Sequence, residues 1–334
     1  MNDINRARVA LIYGGRGHER EVSNRGKAHV LPLIDRERYS VFPIFIDKDG
    51  RWLYEDDEVF LIPGGFYCPT KSLSLPIDCA FPLLHGDFGE DGMVQGALEC
   101  VKIPYVGSDY RVAAACRDKA LVKAVAKSLD IPTLPFTLII KCEGADYAVR
   151  RAESHFRYPM IVKPTCLGSS IGVCSANTKE SLRQAVNKVF KISDRAIIEP
   201  CLTVKRELEC GYFGTKSKEL FTNPGEILLN GMYGYEEKYI SPDVKTAVRA
   251  DLGAEITERI REYSRRLVRA LGVRHLARID FFLSGGEIYF NEINTMPGFT
   301  EGSLYAKMIE GSGISEGALI NMLVESALPG NLAE

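Results

Sequence analysis

Two short segments near the end of the chain carry charged and oxygen-bearing groups in a pattern that could handle phosphate. In "ARIDFFL", Arg278 and Asp280 share one face of a strand because side chains alternate with period two, and in "FNEIN" Glu292 and Asn294 share a face for the same reason. Two carboxylates and an amide oxygen suit Mg²⁺, a hard cation that keeps waters or substrate phosphates in its other positions. An arginine beside them adds positive charge where negative charge develops in a reaction. The same four residues would also suit an exposed, salt-bridged hairpin.

The strands must meet in one register for the ligands to converge. Directly opposed residues lie on the same side of a sheet, so Asp280 has to oppose Glu292. That pairing centres the turn on Gly286 and predicts a three-residue loop, or a bulge with the same effect. A plain two-residue Gly-Gly turn would oppose Asp280 to Asn291 and scatter the set.

The elements that must carry this hairpin read as three units, 1–112, 113–205 and 206–334. In the first, "RVALIY" is a buried strand ending in Gly14-Gly15 and followed by a helix over "GHEREVSNRGKAHVL", without the G-x-G-x-x-G spacing of a dinucleotide site. A second strand over 79–84, a glycine-rich loop, a helix and a strand over 103–107 repeat the alternation, which predicts an α/β unit on a parallel sheet. In the second, "DKALVKAVAKSLDIP" predicts a helix with Leu121, Val122, Val125 and Leu129 on its apolar face. Two strands then flank the loop "CLGSSIG", and "NTKESLRQAVNKVF" predicts an amphipathic helix with Asn177 and Glu180 as its capping box, before a strand at "RAIIEPCL". This unit is α+β. The third opens on the strand "RELECGYFG". It continues through a glycine- and tyrosine-rich segment, "PGEILLNGMYGYEEKYISP", long and polar enough to predict a lid. A helix capped by Gly272 leads into the hairpin.

Bulk composition narrows the function classes. Hydrophobic residues make up 46% and charged residues 26%, which fits globular units and argues against disorder or a fibrous repeat. A formal charge of -2 gives no long-range pull toward nucleic acid or an anionic membrane, so an anionic ligand must be held locally. No apolar run reaches the roughly 18 residues of a membrane helix, and "VALIY" is too short for a signal peptide, so the expected location is the cytoplasm. Nine cysteines without a C-x-x-C pair argue against a disulfide framework or a zinc site.

Taken together, "GGRGHEREVS", "FPLLHGDFGEDGMVQG", "DKALVK", "VKPTCLGSSIGV", "IIEP", "GEI", "EEKY", "ARIDFF" and "NEINTMPG", in this order, resemble the D-alanine:D-alanine ligases of the ATP-grasp superfamily over nearly the whole chain. The resemblance implies a three-domain ATP-grasp architecture. It implies transfer of the ATP γ-phosphoryl group to the carboxylate of one D-alanine, and displacement of phosphate by the amine of a second, making a peptidoglycan precursor. Asp280, Glu292 and Asn294 would hold two Mg²⁺ ions, with Mn²⁺ able to substitute, and Arg278 would stabilise the tetrahedral oxyanion. ATP would meet Lys119, Lys163, the loop serines Ser169 and Ser170, Glu199 and Leu202 at the adenine, Glu207 rather than Glu209 at the ribose, and Lys238 at the γ-phosphate. Glu19, linked to Ser169 and Tyr239, would hold the first ammonium near His85, and Ser303 with Leu304 would receive the second substrate. The loop at that second position departs from the family pattern, with Gly302 where a histidine is usual and Ala306 where a proline is frequent, and "RGH" replaces the short hydroxyl residues common in the first glycine loop. The resemblance also implies a homodimer. A ligase placing D-serine or D-lactate second, and a nucleotide-binding module without catalysis, are the competing readings.

Overall fold

The structure is a computed structural model that describes residues 6–202, 205–228 and 245–330. Three sheets organise the described residues. In the first, the strand Ala7–Gly14 pairs in parallel with Tyr39–Ile46 on one side and Cys79–Pro82 on the other. From Tyr39–Ile46 an antiparallel meander runs outward through Trp52–Tyr54, Asp57–Ile62, Gly65–Cys68 and Leu73–Pro76. The parallel centre is as expected, but the strand predicted over 103–107 is reduced to a single bridge between Tyr105 and Ala80. Pro104 has no N–H to donate, and Gly107 turns the chain away at φ +115°, so pairing stops after two backbone bonds.

The turn after the first strand is fixed by contacts that a side chain could not allow. Gly14 has φ +94°, and a Cβ there would lie 2.3 Å from the Ile46 carbonyl oxygen. Its N–H donates to the buried Ser23 hydroxyl, which in turn donates to the Leu83 carbonyl oxygen. This ties the start of helix Arg20–Val30 to the loop after Cys79–Pro82.

The second sheet is antiparallel, in the order Cys174–Ala176, Met160–Pro164, Arg195–Pro200, Thr137–Ile140. Helices Ala145–Glu153 and Lys179–Val189 supply Ala148, Val149, Leu182 and Val186 to the core on one face, against Val162 and Ile198. Alternation sends Lys163 and Glu199 to the other face. The helix Lys179–Val189 starts one residue later than the sequence suggested: Thr178 is extended and its hydroxyl accepts from the Ser181 N–H, so Thr178 and Ser181 form the capping box, not Asn177 and Glu180.

The third sheet runs Lys245–Ala247, Gly225–Leu228, Arg206–Gly214, His275–Ser284, Glu287–Asn294, with Glu219–Phe221 also pairing to Arg206–Gly214. Helix Ala254–Leu271 covers one face and ends at Gly272, which takes φ +74° as a C-terminal cap. Helix Lys119–Ser128 joins this core through Val122 and Ala126. Its inward face differs from the expected one: Leu121 is 49% exposed, and Lys123 is buried in its place because a carboxylate waits there.

A fourth set of contacts binds the first and third sheets. Val9, Leu11 and Phe81 share a core with Phe213 and Leu276, with Phe299 and Tyr305, and with Leu319, Ile320, Leu323 and Val324 of helix Glu316–Ala327. Phe299 stands edge-on to both Phe81 and Tyr305 at 5.8 and 5.9 Å. The clefts between the sheets are therefore walled by packed elements.

Candidate active site

The hairpin reaches the required register through a bulge. Ser284 opposes Glu287, so the turn is the two-residue Gly285-Gly286, both with positive φ as a type I′ turn demands. Phe281 opposes Phe290, yet Asp280 opposes Glu292, which leaves Asn291 as the extra residue. A regular ladder from that turn would have put Asp280 opposite Asn291. Arg278 opposes Asn294 two pairs along, beyond Ile279 and Ile293, so all four groups share one face.

A fifth residue joins them. On the neighbouring strand Glu209 opposes Asp280, and Glu209, Asp280 and Glu292 form a row of acids across three strands. Cations interleave with them. Arg278 donates Nε and Nη2 to the two Asp280 oxygens at 2.7 Å each and lies 3.3 Å from Glu209. Lys119 places Nζ 3.0 Å from Glu292 while donating to the Leu167 carbonyl oxygen at 2.7 Å. Asn294 accepts from the Met296 N–H through Oδ1, an oxygen that retains a second lone pair. Among the described residues no three His, Cys, Asp or Glu side chains gather as a metal cluster. The oxygen set is two carboxylates and an amide, and its hardness fits Mg²⁺ rather than a softer ion.

Glu19 precedes helix Arg20–Val30 and accepts a short hydrogen bond from the Ser169 hydroxyl, 150 residues away. Ser169 and Ser170 both hold positive φ, at +53° and +59°, a conformation uncommon for residues with a side chain and concentrated at functional loops. Beside Glu19 lies a second buried acid, Glu90, 3.5 Å from His85 and 2.6 Å from Arg117. Burial raises the Glu19 pKa, Glu90 raises it further, and the Ser169 hydroxyl, His85 and Arg117 only partly offset this. Burial pushes Glu90 the same way, but Arg117 and His85 win and hold it below the ordinary carboxylate value.

Gly86 makes room for this arrangement, since it has φ +70° and a Cβ there would lie 2.3 Å from Glu19 Oε2. Gly86→Ala is therefore expected to cost roughly 2 kcal/mol from the left-handed backbone alone. Urea unfolding of the variant and the parent measures it, and equal midpoints would remove the steric argument.

On the second sheet's free face, Glu199 is 1% exposed and lies between two lysines, Lys123 at 2.5 Å from Oε1 and Lys163 at 2.8 Å from Oε2. Burial alone would raise its pKa, but Lys163 and Lys123 pull it down to about 2. Lys205 pairs with Glu207 at 2.7 Å and lies 4.2 Å over the Phe282 ring, where Lys163 also approaches at 5.6 Å. All of these but Lys123, together with Leu202, Ile161 and Ser170, line one cleft.

A larger cleft of about 720 Å³ contains Glu19, His85, Arg278, Asn294, Ser303 and Leu304. Both clefts share Lys119, Gly168, Ser169, Glu209 and Glu292 as walls. Ser303 starts helix Leu304–Glu310 and accepts from the Thr300 N–H at 2.9 Å. Lys238 and Tyr239, expected in the lid, lie outside the described residues.

Two family models match most of the chain. "D-ala D-ala ligase N-terminus" matches residues 8–63 and 67–108, and "D-ala D-ala ligase C-terminus" matches 125–325. The chain belongs to the D-Ala-D-Ala ligase family. A D-alanine--D-alanine ligase of Caldicellulosiruptor bescii is 36% identical over 98% of this chain and 97% of its own length. One of Solibacter usitatus is 40% identical over 96% and 95%. The crystal structure of VanG D-Ala:D-Ser ligase from Enterococcus faecalis matches with a TM-score of 0.88 at 29% identity, over 97% of this chain and all of that one. Within this ligase family fold, the mixed α/β architecture expected from the sequence is present.

Three groups near the candidate site escaped the sequence reading, Arg117, Lys123 and Glu90, while Glu209 entered it only as the alternative to Glu207 at the ribose. Glu209 had a signal, because alternation puts it on the same face as Glu207. The other three look like ordinary helix or loop charges, and only tertiary packing turns them inward.

Proposed function

We propose that this protein is an ATP-dependent ligase that joins two D-alanines through an acyl phosphate, with D-alanyl-D-alanine as a peptidoglycan precursor. One observation carries the reading: Glu19 and Ser169 meet at one part of a cleft that also holds Arg278 between Asp280 and Glu209. This sets an ammonium receiver and an oxyanion receiver in the same cavity, the two charges that a first amino acid and its tetrahedral adduct present. The three-unit division at 112 and 205, the cytoplasmic location and a homodimer belong to the same proposal.

In this reading Glu19 binds the first ammonium and His85 lies beside it. Lys119, Lys163 and the backbone of the loop around Gly168 hold the phosphates, the small residues letting N–H groups approach. Glu199, Leu202 and Glu207 line the adenine and ribose end. Asp280, Glu292 and Asn294 would hold Mg²⁺, which when bound offsets repulsion among phosphate oxygens. Ser303 and Leu304 orient the second amino acid. Its amine attacks the activated carboxyl carbon while Arg278 stabilises the oxygen that becomes negative, and collapse expels phosphate. Lys238 and Tyr239 complete the proposal from the lid. Positioning does most of the catalysis, because the chemistry needs two reactants held in line.

D-serine in the second position is the competing substrate, supported by the fold match to VanG and by Gly302 and Ala306 in the second-substrate loop. Phosphate release and product mass are to be measured with ATP, Mg²⁺ and D-alanine, alone and against equimolar D-serine or D-lactate. D-alanyl-D-alanine should dominate. Predominant mixed product would transfer the assignment to D-serine or D-lactate, and no phosphate release with any of them would overturn the ligase reading.

A further inference from the structure

We infer that Arg117 is a positioning residue that occupies Glu90, so that the incoming ammonium is directed to Glu19 alone. The inference rests on the ligase reading above and adds a group which that reading does not use.

Arg117 ends helix Tyr110–Arg117, and the single residue Asp118 separates it from helix Lys119–Ser128. Asp118 is itself pinned: Oδ1 accepts from the Ala120 and Leu121 N–H groups, and Oδ2 from Arg195 at 2.7 Å. The backbone that delivers Arg117 is thus rigid. Its side chain is only 11% exposed, and Nη1 lies 2.6 Å from Glu90 Oε2 while Nη2 lies 3.6 Å from Asp87. Nη1 is also 2.9 Å from the place a Cβ on Gly168 would take, so the guanidinium fills the gap between the 85–91 loop and the glycine loop carrying Ser169. Groups facing it are Glu90 and Asp87 from that loop, Glu19 ahead of the first helix and Glu292 from the hairpin.

Two buried carboxylates therefore line the same wall, and either could capture an ammonium. Glu90 has His85 at 3.5 Å and Arg117 in a direct ion pair, whereas Glu19 has the neutral Ser169 hydroxyl. The guanidinium balances Glu90 and leaves Glu19 as the acid whose charge a ligand must satisfy. Without Arg117, Glu90 would be a buried carboxylate short of a cation, competing for the ammonium and repelling Glu19.

The test compares Arg117→Met, Glu90→Gln and the double variant with the parent. The readouts are KM for D-alanine at the high-affinity subsite and KM for ATP, taken from phosphate release. Arg117→Met should raise the D-alanine KM at least 10-fold and the ATP KM less than 3-fold. Adding Glu90→Gln removes the orphaned charge and should return the D-alanine KM to within about 3-fold of the parent, a coupling that a merely structural arginine would not produce. The double variant carries no uncompensated acid, so it decides the matter even where Arg117→Met fails to fold. An unchanged D-alanine KM in Arg117→Met, equal rises for both substrates, or no rescue in the double variant would overturn the inference. A parent that releases no phosphate would instead sink the ligase reading, and this inference with it.

Discussion

Arg278→Met should lower kcat about 10²- to 10³-fold, the effect of removing one preorganised donor from a developing oxyanion. KM for ATP should change little, because the lysines and the glycine loop proposed to hold the nucleotide stay in place. The guanidinium is suited to the task by its fixation. Two 2.7 Å bonds to Asp280 and the approach of Glu209 at 3.3 Å set its plane, and it remains 20% exposed in the cleft that also contains Ser303. Preorganised charge needs no rearrangement as the reaction proceeds, whereas a lysine would keep the charge but lose the fork that Asp280 grips. Arg278→Lys is accordingly expected to fall between the parent and Arg278→Met. Steady-state phosphate release and dipeptide formation measure both variants. A kcat within 3-fold of the parent in Arg278→Met, with folding intact by circular dichroism, would show that the oxyanion is stabilised elsewhere.

Lys123→Met should be the most destabilising single change near the site, by about 3–5 kcal/mol, since it removes one partner of a buried ion pair and strands the other. Glu199 and Lys123 each have side chains 1% exposed, so water cannot replace the lost partner. Lys163 remains, but it reaches the other carboxylate oxygen. The folded-state pKa of Glu199, about 2, lies below that of an unfolded glutamate near 4.3, so its stabilising contribution is present above the unfolded value and is lost as pH falls through about 2. Between pH 6 and 8 Glu199 stays ionised, and because burial outweighs Glu199 and lowers the Lys123 pKa, the loss on Lys123→Met should hold or grow as pH rises. Urea unfolding at those two pH values checks it. A loss below about 1 kcal/mol would mean that Lys163 alone balances the acid.

The strands that carry the hairpin were legible because period-two alternation is a local property: Arg278, Asp280, Glu292 and Asn294 needed only a register, and the bulge at Asn291 supplied it. Glu19 and Ser169 were legible only through resemblance, since nothing local joins residues 150 positions apart. Leu121 was misread, and Lys123 overlooked, for one physical reason. Helical periodicity ranks Leu121 as the inward residue, but a buried Glu199 makes the lysine the lower-energy choice. The meander over 52–76 was not read at all, as its strands are three to six residues long, with polar turns that mimic a loop. The strand expected over 103–107 failed at Pro104, where a missing donor outweighed the apolar pattern.

The core under the first sheet has a consequence for the order of events during synthesis. Val9 and Leu11 share their core with Leu319, Ile320, Leu323 and Val324, which are translated some three hundred residues later. The apolar sheet face they form must therefore wait for this part of its cover until helix Glu316–Ala327 has been made. Contacts of such long sequence separation close late, and the apolar face of this strand needs protection from aggregation until they do.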